Sequence, residues 1–384
     1  MQTLTRPDKK KSPHAAPERS GRRPPFKAAA LIALALFLIS NLVLFAVFGP
    51  ATSYSNNVWN GTGSIDLALN EFKALPRRPD VVLLGSSLVM YPFWSTDKKE
   101  HPEIGDIFHH HRSLALEERL APKDGKPVVF SMAIFGQMAS DAYIYANEFL
   151  KGERMPPVLV WGVAPRDFYD AELSGPMQTI SFQRLVGLDN LVRYADLYLP
   201  GFQERADFIF SKSVFLYGRR WHIQKEVNKG ADKLYNLASP GSTVARPGWE
   251  KGQSGFVFTG TREDVWENSK QEYQKRYKNI DLEKLSLQMG FMDGLLKVCQ
   301  ERGIKVVLVN MPLTATNRDI MPAGFYDSYR SELAKIAGER GAELADFGSD
   351  TTFEDGDYWD TCHLSYQGGF KLMDKLAPII DRLR

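Results

Sequence analysis

Cysteine is scarce in this sequence: only Cys299 and Cys362 occur among 384 residues. Two cysteines cannot build a disulfide framework, and no Cys-x-x-Cys accompanies them, so the usual metal sites have no support. The one histidine-rich stretch, His109-His110-His111 with His101 nearby, reads as a surface or loop cluster, because adjacent residues share no face of a helix or strand. No glycine-rich phosphate loop follows a strand, which removes support for nucleotide binding. No metal and no cofactor are therefore expected. Net charge is lacking as well. The formal value is +2, and much of the basic excess lies in the first 27 residues, so no nucleic-acid partner is expected. Arg219-Arg220-Trp221-His222 mixes basic and aromatic residues. It reads either as a contact for anionic headgroups or polymer, or as a solvated helix face.

What is present begins with a basic tail. Residues 1–27 hold arginines, lysines and several prolines without apolar periodicity, a composition that stays disordered. From Ala28 to Phe48 only Ser40 and Asn41 are polar. About 20 apolar residues span a bilayer core, whereas a signal-peptide apolar region runs to about 7–15. Gly49-Pro50-Ala51 is a poor cleavage site. The run is read as a single-pass anchor in the cytoplasmic membrane. The positive-inside rule places the tail in the cytoplasm and the rest of the chain outside. Residues 49–78 read as a stalk.

From residue 79 onward the chain reads as one α/β domain, a three-layer α/β/α arrangement around a mainly parallel five-stranded sheet. Val81–Leu84, Val128–Ala133, Val158–Gly162, Lys305–Asn310 and Glu343–Phe347 are short and rich in Val, Ile or Leu. They are far enough apart for crossover helices. Leu285, Met289, Met292, Leu296 and Cys299 form one apolar helical stripe, so Cys299 reads as a core residue. Gly303 caps that helix. Another helix spans about Tyr326 to Arg340. The last starts near Ser365, and Pro378 is expected to kink or restart it. Between 171 and 282 the strand pattern lapses. This stretch reads as an aromatic-rich insertion, helical first and then loop-rich around Pro240 to Gly260. Its aromatics form either its own core or a surface for sugars or acyl chains.

Chemistry concentrates at two places. Gly85 ends the first strand and Ser86-Ser87 follow on the turn, where open α/β sheets put their reactive groups. Near the other end stands Asp360-Thr361-Cys362-His363. A serine hydroxyl needs an adjacent base, and a base needs an orienting group. Ser87, His363 and Asp360 are therefore the candidate nucleophile, base and orienter. Cys362 is a lesser candidate nucleophile, since a residue next to the base in sequence is expected to point away from it.

These residues carry a resemblance. Gly85-Ser86-Ser87-Leu88 after a strand, a glycine after the next strand (Gly136) and Asp360-x-x-His363 resemble the blocks of the SGNH/GDSL-type serine hydrolases. Ser86 stands where that family has aspartate. The membrane-anchored, extracytoplasmic members that acylate cell-envelope polymers, such as the D-alanyl transfer proteins of teichoic acid pathways and the alginate-type O-acetyltransferases, are the most similar branch. The resemblance implies Ser87 as nucleophile and the backbone N–H groups of Ser87 and Gly136 as an oxyanion hole. The family's third donor, an asparagine after the third strand, has no counterpart in Gly162-Val163-Ala164-Pro165-Arg166-Asp167. Arg166 either substitutes for it, as oxyanion or substrate contact, or pairs with Asp167 to close the loop. The function implied is acyl or acetyl transfer to an envelope glycan or lipid-linked carbohydrate, with a multi-spanning membrane acyltransferase as a possible partner. The alternatives are ester hydrolysis with water as acceptor, and a degenerate hydrolase fold that binds an envelope polymer or partner.

Overall fold

A computed structural model describes residues 26–49, 62–123, 125–173, 175–238 and 260–384. The basic tail to residue 25, and the loop expected around Pro240 to Gly260 up to residue 259, lie outside the described residues. The chain divides into two units, residues 1–50 and 51–384. The first contains α1 (Phe26–Phe48). Within α1, Ala28–Phe48 has a mean hydropathy of 2.8 and is long and apolar enough to cross a membrane.

The second unit is an α/β domain. Its elements are α2 (Thr62–Ala74), β1 (Val81–Gly85), α3 (Ser87–Glu100), α4 (Leu114–Arg119), β2 (Val129–Ser131), α5 (Ala139–Phe149) and β3 (Val158–Val163). There follow α6 (Ile180–Leu185), α7 (Leu191–Tyr198), α8 (Phe202–Ser213), α9 (Phe215–Gly218), α10 (Arg220–Ala238) and α11 (Arg262–Arg276). The chain closes with α12 (Leu282–Glu301), β4 (Lys305–Asn310), α13 (Ala315–Asp319), α14 (Phe325–Arg340), β5 (Glu343–Asp346) and α15 (Tyr366–Leu383).

The five strands form one all-parallel sheet in the order β2-β1-β3-β4-β5. Both faces are covered, which is why β1, β3 and most of β4 are continuous apolar runs rather than alternating ones. Strand alternation sends Val82 and Leu84 into one core, with α2, α5, α12 and α14. Val81 and Leu83 enter the other, with α3, α4 and α15. The chain passes from β1 to β2 on one side and then to β3 on the other. The carboxyl ends of β1 and β3 thus flank the point where strand order reverses, the place where open α/β sheets leave a crevice.

Three expectations need correction. The stretch 49–78 is not all stalk: α2 occupies residues 62–74, and Ile65, Leu69 and Phe72 are buried in the core. Those residues recur at helical spacing, a stripe hidden by the polar residues around it. Pro378 does not restart the last helix, for α15 runs through it. Pro378 and Asp374 lie on the exposed face, so the carbonyl deprived of its amide donor is open to water. The second strand is also shorter than Val128–Ala133: regular pairing covers Val129–Ser131, and beyond it only the Met132 and Ile134 N–H groups still bond to β1, at Leu83 and Gly85.

Candidate active site

β1 hands the chain to α3 through Gly85, whose φ of 147° belongs to glycine. A Cβ there would collide with Val89 Cγ2 and lie 2.6 Å from the Gly162 carbonyl oxygen. Gly85 and Gly162 are partners in the sheet register, so two bare positions let α3 settle onto the strand ends. Ser87 is the first residue of α3, where backbone N–H groups have no intrahelical acceptor.

The loop after β2 is tied to this turn. The Ile134 N–H donates to the Gly85 carbonyl at 3.0 Å, and the Gly85 N–H donates to Gln137 Oε1 at 2.7 Å. Gly136 lies between them with φ 68°. Gln137, 1% exposed, was missed in the sequence; its only signal was adjacency to Gly136.

At the far end of the chain, Asp360 builds a turn around its own carboxylate. Oδ1 accepts the backbone N–H groups of Cys362 and His363, each at 2.8 Å. Oδ2 lies 2.7 Å from His363 Nδ1. His363 Nε2 lies 2.8 Å from Ser87 Oγ. The structure thus brings together all three residues across 276 positions of sequence. Asp360 and His363 are fully buried and Ser87 is 9% exposed, so the hydroxyl is the end of the chain nearest solvent. Burial pushes the Asp360 carboxyl up, but His363 and the two N–H donors outweigh it and hold it below the usual carboxylate range. An ionised Asp360 at Nδ1 fixes the tautomer that leaves Nε2 as acceptor for the Ser87 proton. Tyr91 packs edge-on to the imidazole at 5.0 Å between centroids, with Phe135 beyond it at 5.7 Å.

The 357–365 loop is held from outside as well. Thr361 Oγ1 pairs with Ser269 Oγ of α11 at 2.6 Å and accepts from Asn317 Nδ2 at 3.2 Å. The Thr314 hydroxyl donates to the Thr361 carbonyl at 2.6 Å. Cys362 Sγ donates to the Tyr273 hydroxyl at 3.0 Å. Contrary to expectation, Cys362 does not point away from the imidazole, for Sγ lies 3.3 Å from Nδ1. It sits on the Asp360 side of the ring, not the Ser87 side, and burial with the Asp360 charge pushes its thiol well above the normal range. Asp360, Cys362 and His363 also form a cluster with metal-ligand chemistry, but each is already engaged in this hydrogen-bonded turn.

Arg166 stands beside the Gly136 loop, its Nη2 3.5 Å from where a Cβ of residue 136 would be. Its nearest ionic partner is Asp170 at 3.2 Å, with Asp167 at 3.8 Å. Burial opposes its charge; Asp170, Tyr273 and Asp167 outweigh burial and strengthen it. Asp170 is shared with Arg276 of α11. Asp167 accepts the Ala164 N–H at 3.0 Å, and burial raises its carboxyl to about 6 against the pull of Arg166.

The histidine run divides three ways. His109 pairs with Asp106 at the surface and His110 with Asp97. His111 is buried within a loop, so of the two readings the loop cluster fits it and the surface one does not, and burial lowers its imidazole to about 4. In the insertion, Tyr194, Tyr198, Phe208 and Phe215 are core residues, whereas Phe202, Phe210 and Tyr217 are exposed. Trp249, Phe256 and Phe258 lie outside the described residues. Comparison with protein-family models and with curated proteins finds no match to this chain.

Proposed function

We propose that this chain is a serine acyl-transfer enzyme of SGNH/GDSL type, tethered to the outer face of the cytoplasmic membrane by α1. The supporting observation is the chain of contacts from Ser87 Oγ through His363 to Asp360, 2.8 and 2.7 Å, at the carboxyl end of β1. In this reading Ser87 Oγ attacks the acyl carbonyl while His363 Nε2 takes its proton. The tetrahedral oxyanion is met by the N–H groups of Ser87 and Gly136, with the Arg166 guanidinium in the role of the missing asparagine. The bond to the leaving alkoxide breaks and His363 protonates it. An acceptor hydroxyl then gives its proton to His363 and takes the acyl group; the bond from the acyl carbon to Ser87 Oγ breaks and His363 returns the proton to Ser87. With an envelope glycan as acceptor the reaction is transfer; with water it is hydrolysis.

A fluorophosphonate probe tests the serine chemistry. In the folded protein Ser87 Oγ should bond to the probe's phosphorus and expel fluoride to solvent, leaving Ser87 labelled; Ser87→Ala should not be labelled. Unlabelled, folded wild-type protein would contradict the proposal. Product analysis with and without an oligosaccharide acceptor then separates transfer from hydrolysis.

A further inference from the structure

Helix α10 presents a physical problem. It spans 19 residues, about 28 Å at 1.5 Å per residue, yet none of its residues whose burial is described is buried. Helices in folded proteins draw most of their stability from packing an amphipathic face. Such a face exists here: Leu216 of α9 with Ile223, Val227 and Leu234 of α10 recur at spacings of seven, four and seven, one stripe along the helix. All four are exposed, Val227 by 63% and Leu234 by 69%. A contiguous apolar strip of this kind on a soluble surface marks a contact site.

Two observations decide among occupants. The same chain carries a span apolar enough to cross a membrane. Fully extended at about 3.3–3.6 Å per residue, residues 49–61 reach roughly 45 Å. Any bilayer that α1 crosses is therefore always within reach of the domain, at high effective concentration. The charges along α10 lean toward an anionic surface: Arg220, Lys225, Lys229 and Lys233 against Glu226 and Asp232, with Lys229 and Glu226 paired at 2.7 Å. With Asp207 of α8 included, which pairs with Arg220 at 3.2 Å, the balance among these residues is one positive charge. Apolar residues on one side of a helix and lysines around them are what an interfacial helix requires, lying in the plane of the headgroups with its apolar side about 5–10 Å deep. We infer that α10 is a second membrane contact, an interfacial helix that docks the insertion on an anionic lipid surface. This inference stands independently of the chemistry proposed at Ser87.

The full chain in phosphatidylethanolamine–phosphatidylglycerol vesicles tests it. Nitroxides are attached at Val227→Cys, Leu234→Cys and, as a control, Lys229→Cys; native Cys299 and Cys362 are buried. Labels at 227 and 234 should collide more with lipid-soluble oxygen than with a water-soluble nickel chelate, and the label at 229 the reverse. The double variant Val227→Glu, Leu234→Glu, with a nitroxide at Ile223→Cys, should shift that label from oxygen-accessible to nickel-accessible, with fluorophosphonate labelling of Ser87 unchanged. Labels at 227 and 234 facing water would overturn the inference. So would labels that neither reagent reaches, which would mean protein covers the stripe, or spin–spin broadening that grows with protein density, which would mean a second copy does.

Discussion

The 357–365 loop and helix α10 are opposite extremes of this chain. The loop has little regular structure, yet nearly every polar group in it is engaged: Asp360 by its own backbone and His363, Thr361 by Ser269, Asn317 and Thr314, and Cys362 by Tyr273. Helix α10 is regular throughout and contributes no described residue to the core. Regular secondary structure and fixed geometry are thus separate properties. The fixed geometry lies where the proposed reaction would move a proton over less than 3 Å, and it is built from buried side-chain hydrogen bonds. A helix whose described residues stay out of the core is suited to the docking role proposed for α10, not to holding reacting groups.

Changes in the loop should therefore act far more strongly than changes in α10. The largest effect is expected at the triad. His363→Ala should lower acyl-transfer kcat by on the order of 10⁶, and Asp360→Asn by on the order of 10⁴. Steady-state rates on an activated ester check both, with circular dichroism confirming the fold. Effects below tenfold would place the base elsewhere.

Next comes a pH effect that separates folding from catalysis. Asp141 is fully buried at the start of α5, and burial raises its carboxyl from 3.8 to about 6. A raised carboxyl means the folded state holds its proton more tightly than the unfolded chain. The stability is complete below about pH 4 and is lost as pH rises through about 6, on the order of 2–3 kcal/mol in all. Asp167 adds a change of the same sign, whereas Asp360, held low, loses its contribution only as pH falls below the usual carboxylate range. Asp141→Asn keeps the acceptor for the Met138 N–H. It should therefore narrow the gap between urea midpoints measured at pH 5 and pH 8. An unchanged gap would mean Asp141 does not carry it.

Ser269→Ala probes the tie between insertion and loop. It leaves Thr361 Oγ1 with Asn317 alone, and should cost about 1 kcal/mol of stability together with a several-fold slower reaction of Ser87 with the probe. Stability lost without any change in probe reactivity would show that α11 supports the fold but not the geometry of His363. The smallest effect is expected at Val227→Glu, within about 0.5 kcal/mol of the parent in urea unfolding, as for a solvent-facing position. A larger loss would mean α10 has a packed partner after all.

Much of the fold was legible because its strands are buried on both faces and announce themselves as short apolar runs; Lys305–Asn310 matches to the residue. The meeting of Ser87, His363 and Asp360 was legible because Gly85-Ser86-Ser87 and Asp360-x-x-His363 are local patterns. Long-range supports were not. Ser269 and Tyr273 share one face of α11, four residues apart, but nothing in that spacing says that Thr361 and Cys362 lie opposite, about ninety residues on. That no asparagine follows the third strand, where the resemblance implies one, was visible in the sequence. The shared clamp of Asp170 between Arg166 and Arg276 was not, since it depends on how the insertion returns: the Ala171 N–H meets the Arg276 carbonyl at 3.2 Å. Helix α2 was overlooked because its apolar stripe is only three or four residues long.

The most direct measurement is to trap the intermediate. The full chain is mixed with p-nitrophenyl acetate, quenched in acid after the first turnover, digested and analysed by mass spectrometry. The account predicts one acetyl group on Ser87, a matching burst of nitrophenolate, and neither in Ser87→Ala. Acetyl found instead on Ser86 or Cys362, or none in a folded chain, would contradict it.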